Sequence, residues 1–206
     1  MHLHRGRLAS DPLPRQLWQA MGSPAGCHVA GGWVRDRLLG LDTVDIDVAV
    51  ETSVEQAGAL ADRLARRHGV RAHLLGRRPR AVWRVDTSSA RVEVWPLGDL
   101  DLEGDARRRD FTCNAMLWSL PDGPLYDPTG GRDDLEHDRL RAVSRDNLAD
   151  DPVRLLRGIR FLAQLAELEL DADTGTWIRD LAGRLRDAPR QRLGHEIART
   201  MAGPGV

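Results

Sequence analysis

The sequence predicts a mixed α/β domain followed by an all-helical segment. Segments with strand and helix patterns alternate as far as about residue 95, as expected for a sheet covered by helices. From about Asp150 onwards, apolar residues recur at helical spacing and strand patterns disappear. At 206 residues with 41% hydrophobic residues, the chain is long enough to bury a core in one domain, or in one domain with a helical appendage.

The elements of the first half are predicted from periodicity and from the residues that end them. A weak helical pattern comes first, and a short strand then runs into Gly31 and Gly32 and a helix that ends at Gly40. Alternating apolar and polar residues mark the later strands. In chain order we predict a helix (10–21), a strand (27–30), a helix (33–39), a strand (44–50), a helix (54–67) and strands at 72–75, 81–85 and 90–95.

The second half contains one predicted loop and the helical segment. The stretch Pro121–Asp134 is rich in Gly, Pro and Asp, which favours a loop. We place a domain boundary between residues 145 and 146, so that one domain covers 1–145 and a helical domain covers 146–206. The apolar residues at helical spacing in the second domain are Val153, Leu156, Ile159, Ala163 and Ala166.

Composition limits the classes of protein to which the chain can belong. No apolar run approaches the roughly 20 residues of a membrane helix, and the polar, basic start Met1–Pro14 lacks the apolar core of a secretory signal. We therefore expect a cytoplasmic protein without membrane contact. Cys27 and Cys113 have no CxxC spacing, which indicates buried, reduced thiols rather than a disulfide or a zinc site.

Charge is unevenly distributed along the chain. The formal net charge is -1, and the sequence contains no lysine. This balance does not exclude a nucleic-acid partner, because a basic stretch could hold an RNA backbone, although a solvated helix face is the commoner meaning of such charge. The stretch contains Arg63, Arg66, Arg67, Arg71, Arg77, Arg78, Arg80 and Arg84.

Three carboxylates lie at positions where strands could bring them together. Asp45 and Asp47 alternate with apolar residues in the strand 44–50, so both point to one face, roughly 7 Å apart along the chain. Glu93 lies on the polar face of the strand 90–95. Oxygen ligands of this kind suit magnesium, and three could form a two-metal cage that activates an attacking hydroxyl and stabilises a leaving pyrophosphate. The alternative is a solvated, acidic strand face.

A glycine pair precedes the aspartates at a fixed interval. Gly31 and Gly32 separate a strand from a helix, where glycines let the backbone approach a phosphate and the first helical N–H groups carry partial positive charge. Taken alone, such a pair is also an ordinary turn. The full segment GGWVRDRLLGLDTVDIDVAV joins the pair to Arg35 and to both aspartates.

That segment resembles the head-domain signature of the class II CCA-adding tRNA nucleotidyltransferases and bacterial poly(A) polymerases, which belong to the polymerase-β-like nucleotidyltransferase superfamily. Three later blocks are similar to family motifs, in the family's order. RRDFTCNAM resembles the sugar-recognition motif, YDPTGGRDDL the flexible-loop motif and DDPVRLLRGIRF the base-recognition motif. The resemblance implies an α/β head with a mixed sheet followed by an all-helical neck. The family's longer enzymes continue into body and tail domains, which we expect to be absent from this chain.

The resemblance also implies a role for each matching residue. The metal-binding carboxylates fall on Asp45 and Asp47, and a third acidic catalytic position falls on Glu93. The residues that would bind the nucleotide's triphosphate and sugar are Gly31, Gly32, Arg35, Arg109, Asp110 and Asn114.

The base of the nucleotide would be read by a second set of residues. Asp151 and Arg154 are three residues apart on one face of a predicted helix. Together they offer an acceptor and a donor that match the Watson–Crick edge of adenine or cytosine. Arg157 is a further candidate one turn on. The alternative is that Asp151 only caps the helix ahead of Pro152.

The resemblance implies template-independent addition of CMP, AMP or both, from CTP and ATP, to the 3′ end of tRNA, with Mg2+ as the cofactor. Poly(A) polymerase is the alternative, because LLGRRPRAVWRV is similar to a GRR-containing element of those enzymes. A non-catalytic RNA-binding module is the second alternative. The intact Asp45, Asp47 and Asp110 argue against it, since a binding protein has no need of metal-binding carboxylates.

Overall fold

A computed structural model describes residues 6–76, 81–165 and 167–202 of the chain. Within these residues the chain forms two compact units. The sheet unit comprises 6–106 and 116–127, and the helical unit comprises 107–115 and the residues from 128 onwards. The boundary predicted between 145 and 146 stays a prediction, and the helical unit takes in earlier segments as well. Arg77, Arg78 and Arg80 of the predicted basic stretch lie outside the described residues.

Helix α1 was not predicted; the other elements follow the predicted order through residue 96, and each of their bounds lies within two residues of its prediction. The helices are α1 (Gly6–Ser10), α2 (Pro12–Ala20), α3 (Gly32–Leu38), α4 (Val54–Arg67), α5 (Leu102–Arg107), α6 (Gly131–Glu136), α7 (Arg145–Asp150), α8 (Val153–Gln164), α9 (Ala172–Leu181) and α10 (Arg190–Met201). The strands are β1 (Cys27–Ala30), β2 (Asp45–Val50), β3 (Ala72–Leu75), β4 (Val82–Asp86), β5 (Arg91–Pro96), β6 (Leu117–Ser119), β7 (Leu125–Tyr126), β8 (Arg139–Leu140) and β9 (Glu169–Leu170).

Seven strands of the sheet unit form one mixed sheet, in the order β3-β4-β5-β2-β1-β6-β7. Strands β2 and β5 are parallel, and the other neighbours are antiparallel. Because parallel neighbours start at the same edge, the polar residues that begin β2 and β5 lie side by side. The predicted fold class, a mixed α/β head, is confirmed.

The core of the sheet unit fixes which face of these two strands is polar. Ile46 and Val48 of β2 and Val92 and Val94 of β5 are at most 1% exposed. Helix α4, which begins with a capping box at Ser53, lies against β4 and β5. Since side chains alternate along a strand, the residues between these apolar ones face the other way.

Aromatic and charged side chains hold the helices of the helical unit together. Phe111 meets Phe161 of α8 edge-on, with ring centroids 5.6 Å apart. Arg160 of α8 donates from Nε to Oε2 of Glu196 on α10 at 2.7 Å, and both residues are buried. Breaking a buried pair leaves an uncompensated charge, so this contact fixes α10 against α8.

Two predictions for the second half are wrong in part. The predicted loop Pro121–Asp134 contains β7, which pairs with β6, and most of α6. In α6, Asp134 is a buried acceptor for the hydroxyl of Thr112 at 2.6 Å, a contact that leaves no local pattern in the sequence. The predicted all-helical segment contains β9, which pairs with β8. Strand β8 lies before the segment, so its pairing leaves no local pattern to recognise.

Two other predictions concern the cysteines and membrane helices. Cys27 and Cys113 are both buried, as predicted, and burial raises the pKa of the Cys27 thiol to about 12. In the described part of the chain, no helix is both long and apolar enough to cross a membrane.

Candidate active site

Two aspartates of β2 and one glutamate of β5 lie on one face of the sheet. Asp45 and Asp47 alternate with the buried Ile46 and Val48, and Asp47 is paired in register with Glu93. Residues paired across neighbouring strands lie about 5 Å apart. The side chain of Asp45 is 52% exposed and that of Glu93 29%. These three residues, hereafter the carboxylate face, form an acidic strip that is accessible to solvent.

Two arginines of the neighbouring strands pair with the carboxylate face. Arg84 of β4 donates to Oε1 of Glu93 from Nη2 at 2.5 Å and from Nε at 3.1 Å, and this hydrogen bond raises the pKa of Arg84. Arg91 of β5 donates to Asp45 and to Asp86, each at 3.3 Å. Exposed pairs of this kind contribute little to stability, so the carboxylates can exchange these partners for a ligand.

The carboxylate face has the donor atoms for a divalent cation but no closed set of ligands. Magnesium prefers oxygen donors and keeps several waters when a protein binds it, which suits Asp45 and Asp47. Among the residues that the structure describes, no group of three or more His, Cys, Asp or Glu side chains could hold a metal ion as it stands. Both hydrogen bonds from Arg84 end on Oε1 of Glu93, so Oε2 is the oxygen that could serve as a third ligand while Arg84 competes for the charge of the carboxylate.

The turn from β1 into α3 requires glycine. Gly31 has φ +69° and ψ −126°, a conformation that L side chains rarely adopt. Its N–H donates to the carbonyl of Met116 at 3.0 Å, and its carbonyl accepts the N–H of Arg35 at 3.1 Å. The Arg35 side chain is 11% exposed and pairs with Asp36 at 2.6 Å. A side chain at Gly32 would approach Nη2 of Arg35 to 3.6 Å, so this guanidinium lies beside the turn.

Asp110 is the centre of a buried cluster in the helical unit, hereafter the Asp110 cluster. Its Oδ2 accepts from Nε of Arg157 at 2.6 Å, and its Oδ1 accepts from the N–H of Phe111 at 2.8 Å and from Nδ2 of Asn114 at 3.3 Å. Burial alone would raise the pKa of Asp110, but the charge of Arg157 and these hydrogen bonds outweigh it and lower the pKa to about 2. Asp110 is therefore ionised at neutral pH and orients Arg157 and Asn114.

The backbone beside Asp110 is held by helix α7. Arg109 donates from Nη1 to the carbonyl of Asn114 at 3.2 Å. Asn147 of α7 donates from Nδ2 to the carbonyls of Arg107 and Arg109, each at 2.7 Å. One amide side chain thus fixes two backbone carbonyls at the start of the block that contains the predicted sugar-binding residues.

Asp151 and Arg154 lie side by side at the start of α8. Nε of Arg154 is 4.0 Å from Oδ2 of Asp151. Arg154 is held by hydrogen bonds from Nη1 to the carbonyls of Arg108 at 2.9 Å and Asn147 at 3.1 Å. The predicted proximity of the acceptor and the donor is therefore present in the structure.

Asp151 makes further hydrogen bonds, to the backbone of α8 and to an arginine of α10. Its Oδ1 accepts the N–H of Val153 at 3.3 Å, so the carboxylate also caps the first turn of α8. Both of its oxygens accept from Arg192 of α10, with Nη1 to Oδ1 at 3.1 Å and Nη2 to Oδ2 at 2.7 Å. Arg157, the further candidate for base reading, belongs to the Asp110 cluster.

Comparison with known protein families gives a match over the segment that carries most of these residues. The family of the poly(A) polymerase head domain matches residues 27–141. The chain belongs to the poly(A) polymerase head-domain family. The match confirms the predicted resemblance and includes the glycine pair, the carboxylate face and Asp110, whereas Asp151 and Arg154 lie beyond it.

Relatives of this head-domain protein include two kinds of named enzyme. It is 37% identical over 188 residues to a CC-adding tRNA nucleotidyltransferase of Synechocystis sp., an alignment that covers 90% of this chain and 44% of the relative. It is 35% identical over 216 residues to poly(A) polymerase I of Haemophilus influenzae, covering 95% and 46%. The solved Thermotoga maritima CCA-adding enzyme in complex with tRNA matches with a TM-score of 0.80 at 26% identity, covering 98% and 51%. The chain thus spans about half the length of the proteins it matches.

The head-domain protein holds its predicted site residues in two groups, one in each unit. The carboxylate face, the glycine pair and Arg35 belong to the sheet unit. The residues from the RRDFTCNAM block onwards, Arg109, Asp110, Asn114, Asp151, Arg154 and Arg157, belong to the helical unit.

Three residues that hydrogen-bond to predicted site residues or to their backbone were not predicted from the sequence: Arg84, Asn147 and Arg192. Arg84 had a signal, because it alternates with Val85 on a strand next to that of Glu93. Asn147 and Arg192 had none, since Asn147 acts on backbone carbonyls 38 and 40 residues away and Arg192 lies 41 residues from Asp151. Their contacts depend on how the helices pack.

Proposed function

We propose that this chain catalyses template-independent addition of CMP, AMP or both, from CTP and ATP, to the 3′ end of tRNA. The carboxylate face carries the proposal, because two aspartates of one strand and a glutamate of its parallel neighbour share an accessible face within the matched family segment. The tRNA nucleotidyltransferase of Synechocystis sp. supports tRNA as the acceptor.

The reaction is a transfer of a nucleotidyl group. The 3′ oxygen of the RNA bonds to the α-phosphorus, the bond from that phosphorus to the bridging oxygen breaks, and pyrophosphate leaves. Asp45 and Asp47, joined by Glu93 through its Oε2, would hold magnesium, whose charge favours ionisation of the 3′ hydroxyl and departure of pyrophosphate. The glycine turn at Gly31 gives a phosphate close access to the backbone.

The helical unit would bind the rest of the nucleotide. Arg109 and Asn114 are oriented by contacts within their block, and the ribose hydroxyls offer donors and acceptors to such groups. Asp151 and Arg154 would read the base, because adenine and cytosine both carry an amino donor beside a ring-nitrogen acceptor. This pairing removes the need for a template strand.

The assay compares a tRNA transcript that lacks its CCA end with an unstructured oligoadenylate, each with Mg2+ and one labelled triphosphate at a time. We expect addition of CMP or AMP, limited to a few residues, on the tRNA. The Asp45→Ala and Asp47→Ala variants should add nothing. No incorporation by the wild-type chain at saturating RNA, or equal incorporation by both variants, would contradict the proposal.

Poly(A) polymerase is the second candidate, favoured by the relative in Haemophilus influenzae. The same assay separates the two, because a poly(A) polymerase would extend the oligoadenylate with a long run of AMP and would not stop after three residues on tRNA. Binding of RNA without any incorporation would instead favour a non-catalytic RNA-binding module.

A further inference from the structure

We propose that Arg192 of α10 is a positioning residue for base selection, because it fixes the orientation of the Asp151 carboxylate. This inference rests on the proposed function, which assigns base reading to Asp151 and Arg154. Arg192 acts through Asp151 and does not itself need to contact the nucleotide.

The contact between Arg192 and Asp151 has the geometry that restrains a carboxylate most. Nη1 donates to Oδ1 at 3.1 Å, and Nη2 donates to Oδ2 at 2.7 Å. A guanidinium that donates to each oxygen separately fixes the plane of the carboxylate as well as its position. A single-point contact would leave that plane free to rotate.

The remaining bonds of Asp151 determine what it can offer to a base. A carboxylate has about four acceptor directions, and hydrogen bonds with described residues use three of them: two from Arg192 and one from the N–H of Val153. One acceptor direction is then available to a ligand. Arg154, fixed by the carbonyls of Arg108 and Asn147, is the adjacent donor.

This arrangement discriminates against guanine. Adenine and cytosine need one acceptor for the amino group and one donor for the neighbouring ring nitrogen, which Asp151 and Arg154 supply. Guanine presents two adjacent donors, the ring N–H and the amino group, and a carboxylate that is free to turn can accept both with its two oxygens. Holding the carboxylate with Arg192 removes this second mode of binding.

The packing of α10 on α8 places Arg192 where the contact requires it. Arg192 is four residues before Glu196, so the two side chains lie on the same face of α10. Glu196 is held by the buried Arg160 of α8 at 2.7 Å. The contact with Arg160 therefore fixes α10 at Glu196, and one turn earlier on α10 Arg192 reaches Asp151.

The test is equilibrium dialysis of the full chain with ATP, CTP, GTP and UTP in Mg2+, for the wild type, Arg192→Gln, Arg192→Lys and a matched control. The control is Arg190→Gln, an exposed arginine at the first position of the same helix. We expect Arg192→Gln to raise the affinity for GTP relative to CTP and ATP by about tenfold, in line with the loss of a charge-assisted hydrogen-bonded pair. Arg192→Lys should be intermediate, because one ammonium cannot hold both oxygens, and Arg190→Gln should match the wild type.

The outcomes separate this inference from the proposed function. A wild-type chain that binds all four nucleotides equally overturns both. A wild-type preference for CTP and ATP that Arg192→Gln keeps unchanged overturns the role of Arg192 alone. An equal loss of affinity for all four nucleotides also overturns it, because that loss indicates a merely structural contact. If Arg192→Gln fails to fold by circular dichroism, the selectivity of Arg192→Lys decides in the same way.

Discussion

The carboxylate face and the Asp110 cluster both place acidic groups beside arginines, but they do so in opposite environments. The side chain of Asp45 is 52% exposed, and its arginine partner is 53% exposed. The side chain of Asp110 is 6% exposed, and its partners are a guanidinium, an amide and a backbone N–H. The carboxylate face can therefore exchange its partners, whereas the Asp110 cluster cannot do so without a large cost.

This difference indicates a division of labour between the two groups. Exposed ion pairs contribute about 0–1 kcal/mol to stability, so the acidic residues on the carboxylate face add little to the stability of the fold and are accessible to a ligand. Asp110 is buried but its partner Arg157 is 35% exposed, so breaking this pair costs about 3 kcal/mol, the lower end of the range for buried pairs. Asp110 therefore stabilises the fold and orients Arg157 and Asn114. Substitutions in the first group should affect chemistry, and those in the second should affect stability first.

The largest expected effect is on catalysis by the carboxylate face. Asp45→Ala or Asp47→Ala should lower incorporation by about a thousandfold or more, since each removes one of the metal ligands that we propose. The free energy of unfolding should change by no more than about 0.5 kcal/mol, as for other surface substitutions. Initial rates with tRNA and urea denaturation measure both quantities.

The matched control for this pair of variants is Asp86→Ala. Asp86 also pairs with Arg91 and is 58% exposed, but it is not a predicted metal ligand. Its variant should keep wild-type incorporation. Equal loss of activity in all three variants would mean that acidic charge near Arg91, rather than metal binding, is what matters.

The next effect is on stability and concerns Asp110. Asp110→Asn should lower the free energy of unfolding by about 3 kcal/mol at pH 7, because the charge of Arg157 loses its buried partner. The folded pKa of Asp110 is about 2, below the unfolded value of about 4. The stabilising contribution is therefore complete above pH 4 and is lost as the pH falls towards 2.

Urea denaturation at several pH values tests this dependence. The gap between the wild type and Asp110→Asn should narrow by about 2 kcal/mol between pH 5 and pH 2. Asp133→Asn, which alters a side chain that is 67% exposed, should leave stability nearly unchanged throughout. A gap that stays constant with pH would show that Asp110 does not act through its charge.

A smaller effect is expected on the choice of nucleotide. Asp151→Ala and Arg154→Ala should each reduce the preference for ATP and CTP over GTP and UTP by about tenfold, since an unsatisfied group in the site costs about 1–3 kcal/mol. Competition between pairs of triphosphates measures this ratio. Lower stability with the preference intact would leave Asp151 with only its capping role towards Val153.

The smallest effect is expected for Arg84→Gln, which removes the arginine that binds Glu93. The free energy of unfolding should fall by less than about 1 kcal/mol. The affinity for Mn2+, used as a probe for Mg2+, should rise a few-fold, because the positive charge of Arg84 no longer competes with the cation for Glu93. A lower affinity for Mn2+ would show instead that Arg84 supports the site, for instance by holding Glu93 in place.

The sequence predicts the sheet unit better than the helical unit, for physical reasons. Alternation places Asp45, Asp47 and Glu93 on one face because strand geometry is local, and the register between β2 and β5 then brings them together. Strand β9 and the contact of Arg192 with Asp151 depend on packing between segments about 30 and 41 residues apart. Contacts of that kind leave no periodic pattern in the chain.

The most direct test of the account is Mn2+ binding to the carboxylate face, followed by electron paramagnetic resonance in the presence of CTP. The wild type and Asp86→Asn should bind Mn2+, and the double variant Asp45→Asn/Asp47→Asn should lose that binding while keeping its circular dichroism spectrum. Mn2+ binding of wild-type affinity by the double variant would contradict the assignment of these aspartates as metal ligands, and with it the proposed chemistry of the carboxylate face.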